Sequence, residues 1–86
     1  MTEIRNTIRQ FILDEFIYDD QGDEILTDDI SLLDEGILDS LGILSIIGFL
    51  EERFGIQVAD PEVIPANLGS VQAMVAYVGR KLERDA

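Results

Sequence analysis

The chain of 86 residues contains no cysteine and no histidine. Those absences exclude disulfides, thiolate nucleophiles, imidazole general bases, the ordinary zinc ligands and any Ser-His-Asp arrangement. Basic residues are scarce, six Lys and Arg against eighteen Asp and Glu, for a formal charge of −12. A surface of that sign repels nucleic-acid phosphates and anionic lipid and favours basic partners, although acidity alone also serves solubility. No apolar run approaches the length of a membrane span. The N-terminal segment, with Glu3, Arg5 and Arg9 among its apolar residues, lacks a signal-peptide core. A soluble cytoplasmic monomer that binds neither nucleic acid nor membrane is the expectation, since no long heptad seam is present either. Internal repeats, Gly/Ser-rich or Pro-rich linkers and alternating strand patterns are also missing.

What is present is apolar: 47% of residues, too many for an acidic disordered tail. The length implies one domain over residues 1–86, near the lower limit for folding without disulfides or metal. Residues 3–17 place Ile4, Ile8, Phe11, Ile12 and Phe16 at helical spacing, with Thr2 available as a cap. Tyr18 to Asp23 then brings turn formers. Asp19, Asp20, Asp23 and Glu24 around Gly22 invite a calcium reading, but anchoring that glycine at the sixth loop position puts Ile17 first and Gln21 fifth, so the spacing fails.

The connection from Tyr18 to Leu38 is longer than ordinary loops. Ile25, Leu26, Ile30, Leu32, Leu33, Ile37 and Leu38 give it apolar anchors, with a short helical turn expected near Asp28 to Leu33. Past Gly55, Pro61 and Pro65 leave room for about one helical turn, with Asp60 as its cap. Ser70 opens a last helix whose stripe is Val71, Met74, Val75, Val78 and Leu82. Three longer helices and one short one predict an all-α, small four-helix bundle with a long first loop.

The centre of the chain is Asp34-Glu35-Gly36-Ile37-Leu38-Asp39-Ser40-Leu41, which leads into the apolar periodic run Ile43, Ile46, Ile47, Leu50 and Phe54. Asp39 is the expected N-cap and Gly55 the terminator, which leaves Ser40 at the first helical position with its hydroxyl free. Gly36 lets the backbone turn into the helix. Taken alone, Asp-Ser-Leu equally suits an ordinary cap with local hydrogen bonding. With Gly36-Ile-Leu in front and Leu50-Glu51-Glu52-Arg53-Phe54-Gly55 behind, the stretch resembles the phosphopantetheine attachment motif of acyl and peptidyl carrier proteins. Length, acidity, the long first loop and the Asn67-Leu68-Gly69-Ser70 entry to the last helix extend that likeness over nearly the whole chain.

The resemblance implies a stand-alone, non-catalytic carrier with an acyl-carrier-like fold. Ser40 would bear 4′-phosphopantetheine taken from coenzyme A, flanked by Asp39 and Leu41, and cargo would ride as a thioester. Its implied partners are a phosphopantetheinyl transferase, an acyl- or aminoacyl-loading ligase, and downstream synthases or transferases. From helical geometry, Leu41, Leu44 and Gly48 form a ridge without a core role, read as the partner face, while Phe49 sits at the edge of the buried stripe. Fatty-acid carriers usually have acidic residues two and five positions after the modified serine, where this chain has Gly42 and Ser45; only the later Glu51 and Glu52 match. That departure favours a specialised polyketide, nonribosomal peptide or aminoacyl pathway over housekeeping fatty-acid synthesis. The competing reading is an acidic helical interaction module without a prosthetic group, whose ridge docks a basic partner with help from Glu51 and Glu52.

Overall fold

Apolar residues one turn apart on the first helix, α1 (Thr2–Phe16), bury Ile8 and Ile12 completely and bring Ile4, Phe11 and Phe16 against the same core. The computed structural model describes residues 2–17 and 20–85. Tyr18 and Asp19, part of the expected turn, lie outside the described residues. Thr2 is itself helical, so it opens α1 rather than capping it.

The order continues with α2 (Gly22–Ile25), α3 (Ser40–Phe54), a 3-10 turn (Asp60–Glu62), α4 (Pro65–Leu68) and α5 (Val71–Asp85). The described residues include helices and no strand, as the bundle reading expects, with three short helical pieces in place of one. Pro65 accounts for one of the extra pieces, because a proline is suited to the first turn of a helix. Asp60 belongs to the 3-10 turn and does not precede it. The preceding residue is Ala59, whose N–H donates to Glu62 Oε1 at 3.1 Å.

The core joins α1, α3 and α5 through Ile8, Ile12, Ile46, Leu50, Val71, Met74, Tyr77 and Val78. The long connection supplies three further members, Leu26, Leu32 and Leu38, each essentially sealed from solvent. Each such side chain stabilises the fold by about 1.5–3 kcal/mol relative to exposure. The expected anchors Ile25 and Leu33 are instead 39% exposed.

The helical turn expected at Asp28 to Leu33 does not form; the short helix lies earlier, at Gly22–Ile25. Tertiary hydrogen bonds explain the shift. The Asp28 carbonyl accepts from Gln72 N–H at 2.8 Å and Leu32 N–H donates to the Gly69 carbonyl at 2.9 Å, so groups that a helix would pair internally are committed to the start of α5. Side chains fasten the same segment to α1. Arg5 Nε meets Asp28 Oδ2 at 2.6 Å, and Arg9 reaches Asp23, Asp28 and the Leu26 carbonyl. Ile37 and Leu38 N–H groups then return to the Leu32 carbonyl at 2.9 and 3.1 Å, closing the turn that precedes α3.

Candidate functional site

The entrance to α3 is assembled from its two flanks. Upstream, Gly36 has φ +71°, a left-handed conformation that strains any other residue, and Leu38 is buried. These two residues aim the backbone at the helix mouth. Asp39 adopts an extended conformation and its Oδ1 accepts from Gly42 N–H at 2.8 Å, while its carbonyl accepts from Ile43 N–H at 2.9 Å. Asp39 is therefore the N-cap, as its sequence position predicts. Ser40 is the first helical residue and is exposed, and its hydroxyl makes no hydrogen bond with another described residue.

A phosphodiester suits this position. The first N–H groups of α3 have no intrahelical partner, and the helix dipole places partial positive charge beside Ser40. Asp34, Glu35 and Asp39 oppose that field from exposed positions, but Asp39 is turned onto the Gly42 N–H. Gly42 itself is buried. A Cβ there would sit 3.1 Å from Leu38 Cδ2 and 3.2 Å from Phe16 Cε1, so the mouth is already filled where a fatty-acid carrier would place an acidic side chain.

Beyond the mouth, Leu41 is 74% and Leu44 is 64% exposed, whereas Gly48, the third member of the expected ridge, lines a cleft facing α1 with Phe11, Ser45 and Phe49, so the structure does not bring all three together on one surface. The two acidic residues differ from each other. Glu51 is half-buried and its carboxylate accepts from Val58 N–H at 3.0 Å, tying the end of α3 to the following loop. Glu52 is exposed, on the side of α3 that looks toward α1. Phe49 stacks on Phe11 with ring centroids 4.0 Å apart. Gly55, at φ +68°, terminates the helix with its N–H donating to the Glu51 carbonyl.

Sequence reasoning missed Ile64, 45% exposed at the edge of a small apolar cleft shared with Leu33, Ile43 and Leu68. Its signal is Pro65, which restricts the residue before it to extended backbone; Ile64 has φ −135° and ψ 156°. Among the described residues no carboxylates gather to hold a metal ion, and no helix is long and apolar enough to cross a membrane.

The family model described as a phosphopantetheine attachment site matches residues 4–78. The chain is also similar to the D-alanyl carrier protein of Abiotrophia defectiva, 37% identical over 62 residues that cover 70% of this chain and 78% of the relative. An exposed serine hydroxyl at a capped, anion-friendly helix mouth sits inside both the matched span and a helical bundle of the expected kind. The chain belongs to the phosphopantetheine-attachment family of acyl and peptidyl carrier proteins, whose covalently bound group is 4′-phosphopantetheine.

Proposed function

We propose that Ser40 is the attachment residue and that the chain carries an aminoacyl group, with D-alanyl the first candidate. The observation that carries the assignment of Ser40 is its exposed hydroxyl at the first position of α3, held there by the Asp39 cap. The similarity to a D-alanyl carrier protein supports the aminoacyl load over fatty acyl or polyketide cargo. When bound, the group supplies a thiol at the end of a flexible arm, on which a carboxylic acid is held as a thioester.

The chain's own residues position and present; they do not catalyse. Ser40 Oγ forms the phosphodiester as the diphosphate bond of coenzyme A breaks and 3′,5′-ADP departs. The serine proton would pass to a base on the transferase, because the neighbouring carboxylate of this chain, Asp39, is turned onto the Gly42 N–H. Asp39 fixes the first turn, and the unpaired N–H groups at the start of α3 would hold the phosphate of the arm. Leu41 and Leu44 offer apolar contact beside the attachment point to the transferase, the loading ligase and the enzyme that accepts the load. The surrounding carboxylates raise encounter rates with basic surfaces on those enzymes.

The test is a mass measurement. The purified chain is incubated with coenzyme A, magnesium and a broad-specificity phosphopantetheinyl transferase, and it gains the mass of one arm. Ser40→Ala gains none and keeps the wild-type circular dichroism spectrum. The modified protein is then offered D-alanine and other acids with a loading ligase and ATP, where a hydroxylamine-labile D-alanyl adduct supports the load. Modification that persists in Ser40→Ala refutes the site, and exclusive loading of a fatty acid refutes the cargo.

A further inference from the structure

The helix mouth rests on a side chain from α1. Phe16, the last residue of that helix, turns its ring onto Gly42, where a Cβ would stand 3.2 Å from Cε1 of the ring. Leu38 Cδ2 at 3.1 Å and Asp39 Oδ1 at 3.4 Å close on the same point, so the glycine is gripped from three sides. Gly42 lies two residues past Ser40, about 200° around the helix. The ring therefore bears on the first turn of α3 from the face opposite the serine.

The ring is itself braced. Its edge meets Phe11 at 6.0 Å and 72°, Phe11 stacks on Phe49 at 4.0 Å, and Phe49 meets Phe54 at 6.4 Å and 85°. All four phenylalanines of the chain thus form one row between α1 and α3, with Phe16 at the mouth end and Phe54 at the other. Glycine inside a helix is disfavoured relative to alanine, and here the missing side chain is what lets the braced ring reach the backbone.

We propose that Phe16 is a positioning residue for arm attachment: it props the first turn of α3 from behind and holds the Ser40 hydroxyl outward, at the angle from which the transferase engages it. This role rests on Ser40 being the attachment residue. Without the ring, the Asp39 cap alone sets that angle. The transferase still meets Leu41 and Leu44 on the surface, so recognition survives while the misplaced hydroxyl slows the chemical step.

The experiment compares Phe16→Leu with Phe54→Leu, which removes the ring at the far end of the row and leaves the mouth alone. Two readouts are taken on the full chain. In amide hydrogen exchange, the Gly42 and Ile43 N–H groups, both held by Asp39, exchange about tenfold faster in Phe16→Leu and within about twofold of wild type in Phe54→Leu. In arm attachment from coenzyme A by a broad-specificity transferase, kcat falls about tenfold in Phe16→Leu with KM within about twofold, and Phe54→Leu keeps the wild-type values. Gly42→Ala gives the reciprocal test. It slows attachment in the wild-type background, where its methyl crowds the ring, and speeds it in Phe16→Leu, where the methyl fills the space the ring leaves. Helix propensity favours alanine in both backgrounds, so the reversal of sign isolates the contact. Equal exchange or equal kcat in the two leucine variants, a rise in KM alone, or the same sign for Gly42→Ala in both backgrounds overturns the proposal. Failure of the wild type to take an arm refutes the carrier reading and not the prop, which the exchange contrast decides by itself.

Discussion

Removing the Asp39 cap tests whether the helix mouth is a built feature or a passive one. Asp39→Ala deletes the acceptor that lies 2.8 Å from Gly42 N–H. Loss of such a cap costs about 0.5–2 kcal/mol, and the buried position of Gly42, where water compensates poorly, puts the cost at about 1–2 kcal/mol. For a domain of this size that lowers the melting temperature by roughly 5–15 °C. Asp39→Asn keeps an acceptor oxygen and loses only the favourable charge at the dipole end, about 0.3–1 kcal/mol. The two variants therefore separate geometry from charge. A cost of about 1.4 kcal/mol confined to the first turn raises its frayed population about tenfold, and the transferase's kcat/KM on Ser40 falls with the loss of its pre-set position. Thermal melts by circular dichroism and initial rates of arm attachment by mass spectrometry give both readouts. If Asp39→Ala melts within about 1 °C of wild type, or if Asn slows attachment as much as Ala does, the reasoning from cap geometry is wrong.

Four further outcomes follow from the packing and the ionisable groups. Leu32→Ala, which empties a fully buried site in the long connection, destabilises the chain by about 2–5 kcal/mol in urea unfolding. Gly55→Ala forces a Cβ into the left-handed region at φ +68° and costs about 1–2 kcal/mol in the same assay. The Arg5 guanidinium, helped by Arg9, holds the Asp28 carboxyl below the usual carboxylate range; its contribution is complete above that range and is lost as pH falls through the depressed value. The urea midpoint of wild type should therefore drop on acidification below about pH 4, and that of Asp28→Asn should drop less. Burial first, and Glu62 second, push the Tyr77 phenol up to about 12, so stability declines as pH rises from about 10 toward that value. Tyr77→Phe, followed by the same midpoint against pH, removes this alkaline decline.

The parts of the molecule legible in the sequence are those with local causes. The capped start of α3, its termination at Gly55 and the stripe of α5 each follow from residues within a few positions of one another, and each is found where its residues place it. The long connection behaves differently. Asp28 to Leu33 carries a pattern compatible with a helical turn, but its backbone is claimed by Gly69 and Gln72, far along the chain, and no local rule encodes that claim. The same holds for Glu51. Its position on the outer half of α3 suggests a free acidic group, while the fold bends Val58 back to receive it. The aromatic stack of Phe11 on Phe49 required knowing which faces of α1 and α3 meet.

Three of the six cations of this chain are spent inside it: Arg5 and Arg9 hold the long connection to α1, and Lys81 meets Glu62 at 3.2 Å. Contact pairs of this kind are much shorter than the roughly 8 Å Debye length at physiological ionic strength, whereas the uncompensated negative field acts over distances beyond it. Added electrolyte therefore quenches the long-range pull on basic bodies well before it loosens these latches. Recruitment speed and mechanical integrity become separately adjustable, and a rise in potassium salt slows the first while sparing the second.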